Sequence, residues 1–242
     1  MLSEKPWRAE MVILFCAAQF VCLCLGLTLG GVLRHVGVAG FQQVEDFGNI
    51  FFATLSFQGA AWLLIGFFLR QHQTGWGAAF GWHSPQLKTA LFTAVRFIGI
   101  LLPVILLLQY GCLQGLERLG WPPEDQAAVL LLLKAKAWWM TAYFAGFAVV
   151  IAPVAEEFIF RGMLFPFVRQ LGYPRLAWFG LSAAFALIHF NAAVFVPLFA
   201  FSLAQTWLYD KTDNLLAPIT AHALFNAANL GLLFLQNHQA PA

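Results

Sequence analysis

Residues 137–157 have the sequence AWWMTAYFAGFAVVIAPVAEE, in which 19 uncharged residues are followed directly by Glu156 and Glu157. A run of this length and composition is typical of a helix that crosses a bilayer, which takes about 20 apolar residues. A charge near the bilayer centre costs roughly 3 kcal/mol, and such a residue usually faces a protein interior or a water-filled cavity, where it has a function. The two carboxylates therefore mark both a membrane helix and a candidate functional site.

The chain as a whole has the composition of an integral membrane protein. Of its 242 residues, 61% are hydrophobic and 10% are charged, whereas a soluble domain carries about 25% charged residues. The pattern predicts an all-α, polytopic membrane helix bundle with about 7–8 transmembrane helices. The hydrophobic segments lie at 11–33, 47–69, 90–113, 127–155 continuing as helix to 168, 176–190, 192–209 and 215–236.

The choice between seven and eight helices depends on residues 126–136, where Lys134 and Lys136 follow a Leu-rich run. This segment is either an interfacial helix or the start of the fourth span, and both alternatives stay open. We expect a single membrane domain overall, with N-terminal helices and connectors over 1–125 and a helical core that carries the candidate functional site over 126–236.

Charge patterning excludes nucleic acid and predicts the orientation in the bilayer. The net charge is only +2, and no basic run with interleaved aromatic residues occurs. Basic residues of short loops favour the cytoplasmic side, and they are concentrated before the first span, between the second and third, and around the turn at 170–174. We expect a multi-pass protein with a cytoplasmic N-terminus, in the plasma (inner) membrane if the source is bacterial.

Polar residues on three spans fall at a similar predicted depth. Glu156 lies 13 residues before Arg169 and His189 lies 14 residues after Arg175, on either side of the turn at 170–174. At 1.5 Å per residue, each lies about 20 Å from the turn along antiparallel neighbours. On the last span His222 and Asn226 are four residues apart and share one helix face. Glu156, His189, His222 and Asn226 can therefore meet.

The two glutamates are predicted to have different tasks. Glu157 and Arg161 are spaced i, i+4 with the acid first, the better order for a helical ion pair. Glu156 is rotated about 100° away on the same helix. The pattern favours one carboxylate held by an arginine and one available for chemistry. The alternative is that Glu157 and Arg161 merely neutralise each other and that Glu156 is a structural hydrogen-bonding group.

A carboxylate and an imidazole in a dry cavity can deprotonate a water molecule, while a second histidine and an amide can donate hydrogen bonds to an oxyanion. These groups suit amide hydrolysis without a covalent intermediate. Glu156, His189 and His222 also match a zinc site with two histidines and one glutamate, although no HExxH motif occurs. No cofactor is assigned at this point, and a divalent metal such as zinc stays open, with those three residues as candidate ligands.

Three motifs in order resemble the intramembrane CAAX-protease and bacteriocin-processing family, also called the Abi or CPBP family. Residues 156–161 match EExxxR, residues 185–189 match FxxxH, and residues 222–226 match HxxxN. The resemblance covers about residues 137–230. One departure is the turn Thr212-Asp-Asn-Leu215, where relatives commonly have glycine at the second position, and another is that Ser202 and Gln205 stand where relatives carry a glycine-spaced stretch of small residues.

The resemblance implies a membrane-embedded endopeptidase, a family often labelled metalloprotease, whose site opens toward the cytoplasmic side and acts on a membrane-associated peptide or protein. Glu156 and His189 would activate the water, while His222 and Asn226 would form the oxyanion hole. Glu157 and Arg161 would order the site, and Phe185 would pack beside His189 at the substrate. The alternative is a non-enzymatic bacteriocin-immunity or peptide-binding membrane protein of the same fold, and an oligomer stays open in either case.

Overall fold

The computed structural model describes residues 2–43, 46–82, 84–121 and 137–239, together with residues 129, 132, 133 and 135. These residues form eight helices and no strand, which confirms the all-α membrane fold. The helices are α1 (Ala9–His35), α2 (Phe47–Gln71), α3 (Trp76–Phe80), α4 (Ser84–Arg118), α5 (Trp138–Gln170), α6 (Leu176–Leu187), α7 (Ala192–Thr212) and α8 (Leu216–Gln239).

Six of these helices, namely α1, α2, α4, α5, α7 and α8, are long and apolar enough to cross a membrane. The shorter apolar helix α6 corresponds to the fifth predicted segment. Each of the seven hydrophobic segments therefore contains a helix. The predicted helical start at residues 127–136 lies mostly outside the described residues, and so does the predicted domain boundary near residue 125, which stays a prediction.

The helices divide into two compact units, one over Lys5–Ala79 and one over Met1–Glu4 with Phe80–Ala242. In the first unit α1 packs on α2 through small residues. A Cβ atom added to Gly26 would lie 2.2 Å from Ser56 Oγ, and one added to Gly30 would lie 2.7 Å from Asn49 Oδ1. The two glycines thus form a small-residue packing face on α1, because only glycine allows this close approach.

In the second unit, helix α5 contains two π-helical turns, Phe147–Ile151 and Phe158–Leu164. Each is followed closely by a proline, Pro153 and Pro166. Proline has no N–H and its ring clashes with the carbonyl of residue i−4 in a regular helix. A widened turn before the proline relieves that clash and keeps the helix continuous, and such turns often occur at functional sites.

The chain reverses direction between α6 and α7 earlier than predicted. Helix α6 ends at Leu187 rather than near residue 190, so His189 lies on the connection instead of inside a span. Phe190 has a φ of 48°, a left-handed conformation that a regular helix excludes. The Asn191 side chain then accepts hydrogen bonds from the N–H groups of Ala193 and Val194 and caps α7.

Candidate active site

A buried ion pair forms the centre of the candidate site. The Arg161 Nη1 atom donates to Glu157 Oε1 at 3.0 Å, as the spacing predicts, and both side chains are almost fully buried. The other guanidinium nitrogen, Nη2, donates to the Ser202 carbonyl at 3.0 Å and to the Ser202 hydroxyl at 2.7 Å. Arg161 thus links α5 to α7, and its charge is balanced where a bare charge would be costly.

His222 of α8 lies between the two glutamates. Its Nδ1 atom is 2.9 Å from Glu157 Oε1, and its Nε2 atom is 3.8 Å from Glu156 Oε2. Glu157 is completely buried, whereas 14% of the Glu156 side chain is exposed. With Nδ1 as the donor to Glu157, the imidazole ring is held in one orientation and directs Nε2 toward Glu156.

His189 is positioned by a bond to its own helix end. Its Nδ1 atom is 2.7 Å from the Phe185 carbonyl oxygen, so this nitrogen donates and Nε2 is left as the reactive position. The Phe185 ring lies 5.0 Å from the His189 ring and 5.9 Å from the His222 ring. His189 is also within electrostatic range of the Glu156 carboxylate. The Phe185 ring therefore joins the two histidines into one cluster, and Glu156 lies close to His222.

Phe185 is the fully buried packing residue of this cluster. Its ring contacts the two histidines and lies 4.8 Å from the Arg161 guanidinium carbon, in cation–π geometry. The expected packing beside His189 is therefore present. Direct contact between Phe185 and a substrate stays a prediction.

Asn226 is one turn beyond His222 on α8, but its amide is already engaged. The Nδ2 atom donates to the Ala148 carbonyl of α5 at 2.8 Å. One of the two amide hydrogens is used in this bond, and the second is the one that the implied oxyanion role would require. That role stays a prediction.

Polar contacts at one end of the second unit tie the ends of α5 and α7 together. Arg169, in the last turn of α5, forms an ion pair with Asp210, in the last turn of α7, and Asp210 also accepts a hydrogen bond from the Leu2 N–H.

In the turn that departs from the resembled family, Asp213 has a φ of 45°, a conformation that aspartate tolerates better than most residues. The substitution of glycine by Asp213 is therefore compatible with a left-handed turn.

The candidate metal ligands that the sequence offers are Glu156, His189 and His222. Within the described part of the chain, no three His, Cys, Asp or Glu side chains are grouped so that they could hold an ion together. Glu156 and His222 approach each other, and the bonds of both histidines to protein acceptors use Nδ1 and leave Nε2 available. No step of the chemistry below is therefore assigned to a metal.

Ser202 is a site residue whose role the sequence did not reveal. It stood out only as a departure from the small-residue stretch of relatives, yet it supplies two of the hydrogen bonds of Arg161. The signal in the sequence was a serine within a mostly apolar span. A buried arginine has five N–H donors, more than one glutamate can accept from, so a further acceptor on a neighbouring helix was to be expected.

Residues 137–228 match the family model of the Rce1-like type II CAAX prenyl endopeptidases. This part of the chain is thus similar to the CAAX endopeptidases. The matched segment contains every candidate catalytic residue, and the match confirms the resemblance given by the three motifs. Neither the curated proteins nor the solved structures include a match to the chain. A domain of a protease family on helices that can cross a membrane is the architecture of an intramembrane protease.

Proposed function

We propose that the protein is an intramembrane endopeptidase that hydrolyses a peptide bond of a membrane-associated substrate with a water molecule activated by Glu156 and His189. The observation that carries the proposal is the unequal placement of the two adjacent glutamates. Glu157 is sealed and bonded to Arg161 and His222, whereas Glu156 is partly accessible and faces a histidine nitrogen at 3.8 Å. A partly accessible carboxylate beside imidazoles is suited to act as a general base.

In the proposed reaction, Glu156 accepts a proton from the water molecule while the water oxygen bonds to the carbonyl carbon of the substrate. His189 orients that water molecule, and His222 donates a hydrogen bond from Nε2, when protonated, to the developing oxyanion. The C–N bond then breaks, and the proton held by Glu156 passes to the leaving amine. Glu157, Arg161 and Ser202 act indirectly, because they hold the His222 ring in place.

We also propose that the reaction runs without a metal ion. The proposal is supported by the grouping of the side chains, since within the described residues no three His, Cys, Asp or Glu side chains are placed to hold an ion together. The test is to remove metal from active protein with a chelator and to assay the remaining activity alongside metal analysis. Full activity in metal-free protein is expected, and a loss of activity that zinc restores would contradict the metal-free route.

The site is proposed to open toward the cytoplasm, with the N-terminus on the same side. The Leu2 N–H and Arg169 both bond to Asp210, so residues 2–4 and the ends of α5 and α7 lie at one end of their unit. Basic residues around the turn at 170–174 support the cytoplasmic assignment of that end. Protease accessibility of a tag inserted in this turn from the outer face would contradict it.

The decisive test of the proposed function is cleavage of a membrane-tethered peptide by purified protein. Glu156→Gln removes the base while keeping the shape, and activity should fall by about 10²–10⁴-fold. Glu10→Gln is the matched control, since this exposed glutamate of α1 lies outside the site, and its activity should stay at the wild-type level. Equal cleavage by Glu156→Gln and wild type would defeat the mechanism, whereas absence of cleavage by the wild-type protein would favour a non-enzymatic peptide-binding protein.

A further inference from the structure

The π turn that precedes Glu156 leaves one backbone carbonyl without its helical partner. The Ala152 N–H donates to the Phe147 carbonyl, the bond between residues i and i−5 that defines this turn. The next bond in the series would run from residue 153 to the Ala148 carbonyl, but residue 153 is proline and has no N–H. The Ala148 carbonyl is part-buried, and a carbonyl that is shielded from water is unfavourable without a donor, so we expect another group to bond to it.

Asn226 supplies the missing donor from a different helix. Its Nδ2 atom lies 2.8 Å from the Ala148 carbonyl oxygen. The bond fixes which end of the amide points toward α5, because only the NH2 group can donate. One amide hydrogen is thereby committed, and the direction of the second hydrogen is set as well.

The same two helices are joined a second time at the candidate site. His222, one turn before Asn226 on α8, is bonded through Nδ1 to Glu157 of α5. Two hydrogen bonds at different heights prevent α8 from sliding or rotating along α5. The position of His222 against Glu156 therefore depends on the contact between Asn226 and Ala148.

From this geometry we propose that Pro153 is a positioning residue. Because proline has no N–H to bond to the Ala148 carbonyl, Asn226 bonds there instead and sets the register of α8 against the two glutamates. The proposal deepens the proposed function and rests on it for its effect on catalysis. The contact between the helices itself does not depend on any activity.

The first experiment measures the coupling between the two residues by thermal unfolding in detergent. Asn226→Ala in the wild-type background leaves the Ala148 carbonyl without a donor and should lower the unfolding midpoint by about 2–4 °C. In a Pro153→Ala background, a backbone N–H can bond to that carbonyl, and Asn226→Ala should lower the midpoint by less than about 1 °C. Equal shifts in the two backgrounds would overturn the proposal.

The second experiment measures peptide cleavage by the Pro153→Ala protein. Its unfolding midpoint should equal or exceed that of wild type, whereas kcat should fall about tenfold and KM should change less than about twofold, because α8 is no longer held in register. Pro103→Ala is the matched control, since Pro103 lies inside α4 and is exposed. This control should keep the wild-type kcat.

The outcomes separate the inference from the proposed function. A wild-type kcat in Pro153→Ala would overturn the positioning role, and so would loss of folding in both Pro153→Ala and Pro153→Ser, because each variant restores a backbone donor. A wild-type protein without peptidase activity would contradict the proposed function, while the coupling measured by unfolding would still support the contact between Asn226 and Ala148.

Discussion

Helices α1 and α7 are both long enough to cross a bilayer, but they distribute their polar and apolar residues in opposite ways. In the most apolar stretch of α1 22% of the residues are buried in the protein, against 56% in α7. α1 exposes large residues such as Phe20 and Leu25, whereas α7 buries Ser202, Gln205 and Thr206. In a membrane the apolar surface can face lipid at no cost, so the interior is free to hold the polar groups that perform chemistry.

The largest expected effect comes from removing the cation that α7 binds. Arg161→Met keeps much of the side-chain volume but leaves the Glu157 carboxylate buried without its counter-ion. Breaking such a pair costs about 3–5 kcal/mol, so the free energy of unfolding should fall by that amount in a chemical denaturation titration. A change below about 1 kcal/mol would contradict the view that the interior around α7 is held by paired charges.

A second effect contrasts two leucines, one on each helix. Leu208 of α7 is fully buried, and Leu208→Ala should cost about 2–5 kcal/mol of unfolding free energy because it leaves a cavity. Leu25 of α1 is 64% exposed, and Leu25→Ala should cost about 0.5 kcal/mol or less. Equal losses in the two variants, measured in the same detergent, would remove the distinction between the helices.

A third, smaller effect is expected at the hydroxyl group that α7 presents to Arg161. Ser202→Ala removes the bond from Nη2 to the Ser202 hydroxyl but keeps the bond to the Ser202 carbonyl. Hydrogen bonds to charged groups contribute about 1.5–3 kcal/mol, and the surviving carbonyl bond places this loss at the low end. Thr206→Val is the matched control, because its hydroxyl donates to the Ser202 carbonyl of its own helix and not to a charged group. A loss as large in the control as in Ser202→Ala would show that any buried hydroxyl has the same effect.

Hydrophobicity alone placed the helices well. The predicted segments 47–69 and 192–209 correspond to α2 and α7, because a bilayer-spanning helix must be long and continuously apolar. The end of α6 was missed because His189 lies in a still apolar stretch, and the reversal depends on the conformation of Phe190 and the cap by Asn191. Such local conformations do not change the hydrophobic pattern.

The candidate site was predictable where it rests on spacing within one helix and unpredictable where it rests on contacts between helices. The Glu157 and Arg161 pair follows from the i, i+4 rule. The bonds from Arg161 to Ser202 and from Asn226 to Ala148 depend on how helices are rotated and on a π turn. A constant rise of 1.5 Å per residue, which the depth argument used, does not include such turns.

The π turn at Phe158–Leu164 also has a consequence for how this protein can evolve. A turn closed by bonds between residues i and i−5 holds one residue more than a regular α-helical turn, so it is equivalent to a single-residue insertion in α5. Deleting one residue there would restore a regular helix and would leave Glu156 and Glu157 at nearly their present angle to the end of α5 at Arg169, because the wide turn already holds the extra residue. A single-residue deletion should therefore be tolerated better in this segment than in a regular part of α5, where it would turn the residues on one side by about 100° relative to the other.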